Sequence, residues 1–277
     1  MNLTIKALVV AAILASTATA QATTDNGFTA TGSSFVLSLY DSAAKVSATF
    51  DLGKNYADFS INPLAGFSPS GVDAAGTSFS WDLTAGDYVT AWTTYGSLAN
   101  LATTKWTLAA VDQAGTGANT RGYIETYAGV GGNTQTTPMF NASIAFDNYI
   151  INNAQADKVI YQNHDLVANG SSVTSSAVST IAYATIYNTG LDSLNNSGPK
   201  TAKLLDSSMG LIQLTAGTNG LAQTTQTIYG NGASFLLSST GQLTYSTVAA
   251  VPEADTWAMM AAGLGLMGFI GRRRMKA

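Results

Sequence analysis

The only histidine of this 277-residue chain is His164, in the stretch YQNHDL, with Asp165 directly after it. A Ser–His–Asp relay needs its carboxylate to face the imidazole, and sequence neighbours on a helix point to different faces. No G-x-S-x-G elbow accompanies the pair, so His164 reads as a surface residue. Glycoside hydrolysis needs paired carboxylates flanking one bond. Here the pair would be two aspartates, or an aspartate with Glu125, the only glutamate between residues 21 and 250. Thirteen aspartates in that span make some spatial pair inevitable, so the pattern singles out none of them. Most sit beside Gly, Asn or Ser, as in FDLGKN and TAGDY, where turn formation accounts for them. The run AGVGGNTQTT at 128–137 lacks the Lys-Ser/Thr of a phosphate loop and reads as a plain loop. With no cysteine, thiol nucleophiles, disulfides and thiolate metal sites are excluded, and no EF-hand pattern calls for calcium. The residues assign no catalytic group, no metal ligand and no cofactor.

Aromatic side chains offer a binding reading instead. Trp81 shares a strand face with Phe79 and Leu83, and Trp106 with Leu108, which are core patterns. In YVTAWTTY (88–95), Tyr88, Thr90, Trp92 and Thr94 alternate with Val89 and Ala91. A flat face carrying Tyr88 and Trp92 could stack on sugar rings, and core packing is the competing use of the same residues.

The two ends carry the most specific chemistry. MNLTIKALVVAAILASTATA begins with Lys6 in a thin positive region and continues in an apolar core over 7–15. Ala18-Thr19-Ala20 then fits the small-x-small rule of signal peptidase, which places the cut before Gln21. The other end, VPEADTWAMMAAGLGLMGFIGRRRMKA, has Pro252-Glu253, an apolar segment and then Arg272, Arg273 and Arg274. The fourteen residues from Trp257 to Ile270 would span about 21 Å as a helix, against a hydrocarbon core of roughly 30 Å. Polar flanks and snorkelling arginines extend that reach, giving an expected transmembrane helix over about 256–271. Three arginines hold their end in the cytoplasm and leave the body outside, which agrees with an export signal at the N-terminus.

This order of Pro-Glu, short glycine-rich apolar helix and Arg cluster resembles the PEP-CTERM sorting signal of Gram-negative bacteria. The resemblance covers residues 251–274, and the third motif position is Ala254 where the family name implies proline. It implies that an exosortase-like membrane enzyme recognises Pro252 and Glu253 and cleaves near them, with Arg272–Arg274 as the cytoplasmic stop. It implies passage through the inner membrane, then the cell surface or extracellular matrix, and company with exopolysaccharide in biofilm. The same tail is also labelled after ice-binding proteins. That label wants regular Thr rows, and the pairs Thr225/Thr227 and Thr134/Thr136 do not repeat.

The body, 21–250, holds seven basic and fourteen acidic side chains, a balance of −7, which disfavours nucleic acid and anionic lipid as partners. Only 10% of the chain is charged, far below the roughly 25% usual for globular domains, while 46% is hydrophobic, enough for a core. Period-2 runs bounded by Gly, Asn and Asp predict strands at 33–39, 45–52, 78–83, 88–95, 105–111, 122–127, 179–187, 211–215, 226–230, 233–238 and 242–247. STGQ at 239–242 reads as a hairpin turn with Gly241 at positive φ, and the residues after Thr247 as a link to the tail. Residues 140–166 lack Gly and Pro and hold the one substantial helix. GSSFVLS (32–38) and GASFLLS (232–238) look alike, a strand pattern short enough to recur by chance.

The expected fold is all-β: one antiparallel sandwich or barrel-like domain at 21–250, between a signal peptide at 1–20 and a sorting signal at 251–277. The expected function is an exported surface or matrix protein that is not an enzyme. A carbohydrate-binding module and a secreted hydrolase are the rivals. Expected partners are signal peptidase, the exosortase-like enzyme and extracellular polysaccharide.

Overall fold

The computed structural model describes residues 27–249 apart from 30, 63–67, 116, 130–132, 163–169, 181 and 184–200. The two ends, His164 with Asp165, and most of the strand expected at 179–187 lie outside the described residues. Residues 180, 182 and 183, inside that expected strand, are in turns and bends, and 179 is in no regular element.

Among the described residues the strands are β1 (Ser34–Asp41), β2 (Val46–Asn55), β3 (Ser78–Asp82), β4 (Lys105–Asp112), β5 (Gly122–Tyr127) and β6 (Tyr161–Gln162). They continue as β7 (Ser171–Ser175), β8 (Lys203–Leu204), β9 (Ser208–Thr215), β10 (Thr225–Ile228), β11 (Ser234–Leu237) and β12 (Gln242–Ser246). The helices are α1 (Tyr56–Phe59), α2 (Val89–Leu98) and α3 (Thr136–Asn153). All strands join one antiparallel sheet in the order β3-β12-β11-β9-β5-β4-β1-β2-β7-β6, with β10 beside β9 and β8 beside β4.

That sheet curls on itself. Four strand spacings separate β11 from β1, roughly 19 Å on a flat sheet, yet the rings of Phe35 and Phe235 lie 5.8 Å apart. At the ends of the curl, Trp81 Nε1 of β3 donates to the Leu52 carbonyl of β2 at 2.9 Å. The Lys54 ammonium of β2 sits 5.5 Å from the Phe79 ring centroid. The body is therefore neither two separate sheets nor, among the described residues, a barrel closed by hydrogen bonds.

The inside of the curl is one apolar cluster of Phe35, Phe50, Phe59, Trp106, Phe235 and Tyr245 with their aliphatic neighbours. The outside of the central strands β1, β4, β5 and β9 is covered by α3, through Met139, Phe146, Tyr149 and Ile150. β1 is consequently buried along its whole length. Cover on both faces explains why SFVLSLYD reads as a near-continuous buried run.

Two expectations need correction. Residues 88–95 form a 3-10 turn at Gly86–Tyr88 and then α2, not a strand. Tyr88, Ala91, Trp92 and Tyr95 recur at i, i+3, i+4 and i+7, the spacing of one helix face, and that face packs on the inner cluster. The long helix runs 136–153 rather than 140–166. Near its end, Asn152 and Asn153 donate from Nδ2 to the carbonyls of Asn148 and Tyr149, a side-chain substitute for helical bonding that stops the helix without Gly or Pro. The 239–242 turn is as expected: β11 and β12 pair across it and Gly241 takes φ +87°.

Candidate functional site

The body is held fast up to the brink of the tail. Beyond β12, the Thr247 amide donates to the Thr77 carbonyl at 3.0 Å and its Oγ1 to the Ala74 carbonyl at 2.7 Å. The Val248 amide donates to Asn231, and the Val248 carbonyl accepts from Gly76. The order thus reaches one residue into the stretch read as a link. Four residue steps separate Val248 from Pro252, at most about 14 Å of chain. Alternating apolar residues could announce β12, but nothing in the sequence announces the pairing of Val248 with Gly76, in a loop far upstream, and with Asn231, in a turn just before β11.

Tyr88 and Trp92 do not form an open flat face. Tyr88 is 6% exposed, its hydroxyl donates to the Asp51 carbonyl, and its ring meets Phe50 edge-on at 5.7 Å. Burial pushes its pKa above the usual tyrosine value. Trp92 is half-buried against the inner cluster, and the β11–β12 turn lies against its six-membered ring, where a Cβ on Gly241 would come within 3.0 Å. Trp81 is likewise half-buried and Trp106 fully buried.

Four acidic side chains of the body, Glu125, Asp147, Asp112 and Asp41, are buried. Glu125 lies on β5 opposite Ala109 and Ile212, 1% exposed, with no partner for either oxygen among the described residues. Loss of water alone raises its pKa well above the usual value. Asp147 of α3 accepts from the Gly27 amide and from Gln113 Nε2, and burial raises it to about 6. Asp112 accepts from the Ala114 amide and is also raised by burial to about 6, with Arg121 pulling the other way. Asp41 accepts three amides, from Ala43, Ala44 and Asn100, which hold it below its usual value although burial opposes them. Among the described residues no three His, Asp or Glu side chains gather as a metal site, and no helix is long and apolar enough to cross a membrane.

The processing residues Pro252, Glu253 and Arg272–Arg274, and the signal-cleavage residues Ala18, Ala20 and Gln21, lie outside the described residues. For the tail, comparison supplies what geometry does not. Residues 250–274 match the family model of the PEP-CTERM protein-sorting motif. The motif implies an exported protein, sorted through the membrane and processed by an exosortase-like enzyme. No curated protein and no solved structure matches the chain.

Proposed function

We propose that this chain, with its PEP-CTERM motif, is a non-catalytic structural or adhesive protein of the cell surface or extracellular matrix. The observation that carries the reading is the motif at 250–274 set immediately beyond the last pinned residue of a folded body. Signal peptidase releases the N-terminus before Gln21. The apolar segment 257–270 then parks in the inner membrane with Arg272–Arg274 on the cytoplasmic side. Pro252 disfavours helix at Val251 and so keeps the outer flank extended for the enzyme. Because Val248 and Pro252 are at most about 14 Å apart, the folded body stands against the membrane while it is anchored. A formal body charge of −7 gives it no attraction to anionic lipid, and cleavage frees it towards the matrix, where exopolysaccharide is its expected company.

Buried Tyr88 does not favour the carbohydrate-module reading, and buried Glu125, Asp112 and Asp147 do not favour a hydrolase. Changing Arg272, Arg273 and Arg274 together to Gln in the source cells tests the proposal. The shorter processed form should fall away while unprocessed protein accumulates. Processing in undiminished amount would overturn the role of the tail.

A further inference from the structure

Arg121 is the only arginine of the body, and among the described residues it has no acidic partner within salt-bridge distance. Its backbone is fixed, since its carbonyl accepts from the Ala216 amide just after β9. Its Nε donates to the Gly115 carbonyl at 2.6 Å, and the guanidinium carbon sits 4.0 Å from the centroid of the Phe140 ring on α3. One hydrogen bond and one stacked ring hold the group in a defined plane. Neither Nη is bonded within the described residues.

The guanidinium borders a pocket of about 120 Å³ together with Thr136, Thr137, Asn219 and Gly220. Among the described residues the Thr137 hydroxyl and Asn219 Nδ2 have no hydrogen-bond partner, while Asn219 Oδ1 is occupied by the amides of Leu221 and Ala222. The amides of Thr136 and Thr137 are also occupied, by the carbonyls of Ala222 and Gly220, so the end of α3 offers nothing itself. What the pocket does offer is donors: guanidinium N–H groups, a hydroxyl and an amide. Among the described residues no Asp or Glu lines it. In a body whose charge is −7, a donor-lined pocket with a planar cation is the local exception.

We infer that the Arg121 pocket binds a carboxylate, held by the fork of Arg121 with Thr137 and Asn219 at its sides. A guanidinium matches a carboxylate in two parallel bonds, and stacking on Phe140 removes the entropy of finding that plane. The pocket has room for the carboxylate and the few atoms beside it, so the rest of the ligand lies outside. Leu221, next in sequence to Gly220 of the lining, is 78% exposed. This inference stands on Arg121 and not on the tail, so it survives or falls apart from the sorting account.

The test uses the full chain in detergent with ¹⁵N-labelled arginine. Arg121→Lys identifies the Arg121 Nε signal by its loss. Sodium galacturonate, sodium hexanoate and the methyl ester of galacturonate are titrated at ionic strength matched with sodium chloride. The Arg121 signal should move saturably with a carboxylate and stay still with chloride and ester. Phe140→Leu should weaken binding severalfold, and Thr137→Val should weaken it less. Tighter galacturonate names a sugar acid as the source, and tighter hexanoate an apolar acid lying on Leu221. A signal that stays still in every titration, or moves as far with chloride or ester, would overturn the inference.

Discussion

Glu125 is the residue whose environment conflicts most with its chemistry. It is buried without a partner among the described residues, and Asp112 and Asp147 are also buried and raised to about 6. In each case the folded state holds its proton more tightly than the unfolded chain does. Stability is then greatest where these groups are protonated in both states, and it falls as pH rises from about 4 through 6 and beyond. Melting temperature measured from pH 4.5 to pH 8 should decline, and Glu125→Gln should flatten part of that decline. At pH 8 the substitution should stabilise, because Gln removes the deprotonation that the buried site disfavours. A melting temperature that rises over this range, or is lowered at pH 8 by Glu125→Gln, would contradict the assignment. Glu125 was conspicuous in the sequence as the lone glutamate of the body, but its burial was not. The residue sits in GYIETY between Ile124 and Thr126, and alternation alone assigns it an outer, polar face. That outer face of β5 is roofed by α3, which lies in a different part of the chain.

The two look-alike strand segments separate local pattern from tertiary context at the scale of elements. Gly32 and Gly232 both take positive φ, at 72° and 62°, and each stands two residues before a strand that turns a phenylalanine inward. Phe35 and Phe235 meet across the curl, both fully buried. The next residues part company: Val36 lies under α3 with no exposure, whereas Leu236 is 39% exposed because no helix covers β11. Phe235→Ala should therefore cost about 3–5 kcal/mol, while Leu236→Ser should cost less than about 1 kcal/mol, both read by urea unfolding. Equal losses at the two positions would contradict the curl, since Phe235 lies inside it against Phe35 and Phe59 while Leu236 faces outward. Most strands were legible in the sequence because alternation survives wherever a sheet has one dry face. α2 was not, because Tyr88 and Trp92 satisfy period 2 with Val89 and Ala91 between them, while also satisfying helical spacing with Ala91 and Tyr95. Packing of that face on Phe50 and the inner cluster decides for the helix. The short β6, β7 and β8 escaped notice for another reason. SSVTS has no apolar alternation to detect, and it forms a strand because β2 offers it a ladder.

Over the whole molecule, address and cargo are written in different languages. The address is linear: a Pro-Glu pair, an apolar run and an arginine cluster act in sequence order and were legible at sight. The cargo is a curled sheet whose candidate binding group, Arg121, becomes visible only when the β4–β5 loop, α3 and the residues after β9 converge on it. Composition marked Arg121 as solitary, and only the fold supplies its stacking ring and its donors. The central claim concerns the junction between the two, where Val248 ends the pinned body and Pro252 begins the address. The most direct measurement is an intact mass of the mature protein taken from the envelope and medium of its source cells. The account predicts a product that starts at Gln21 and ends near Pro252–Glu253, with the apolar segment and the arginines gone. A product that retains Ala277 would contradict it and leave a permanent membrane anchor in place of a sorting signal.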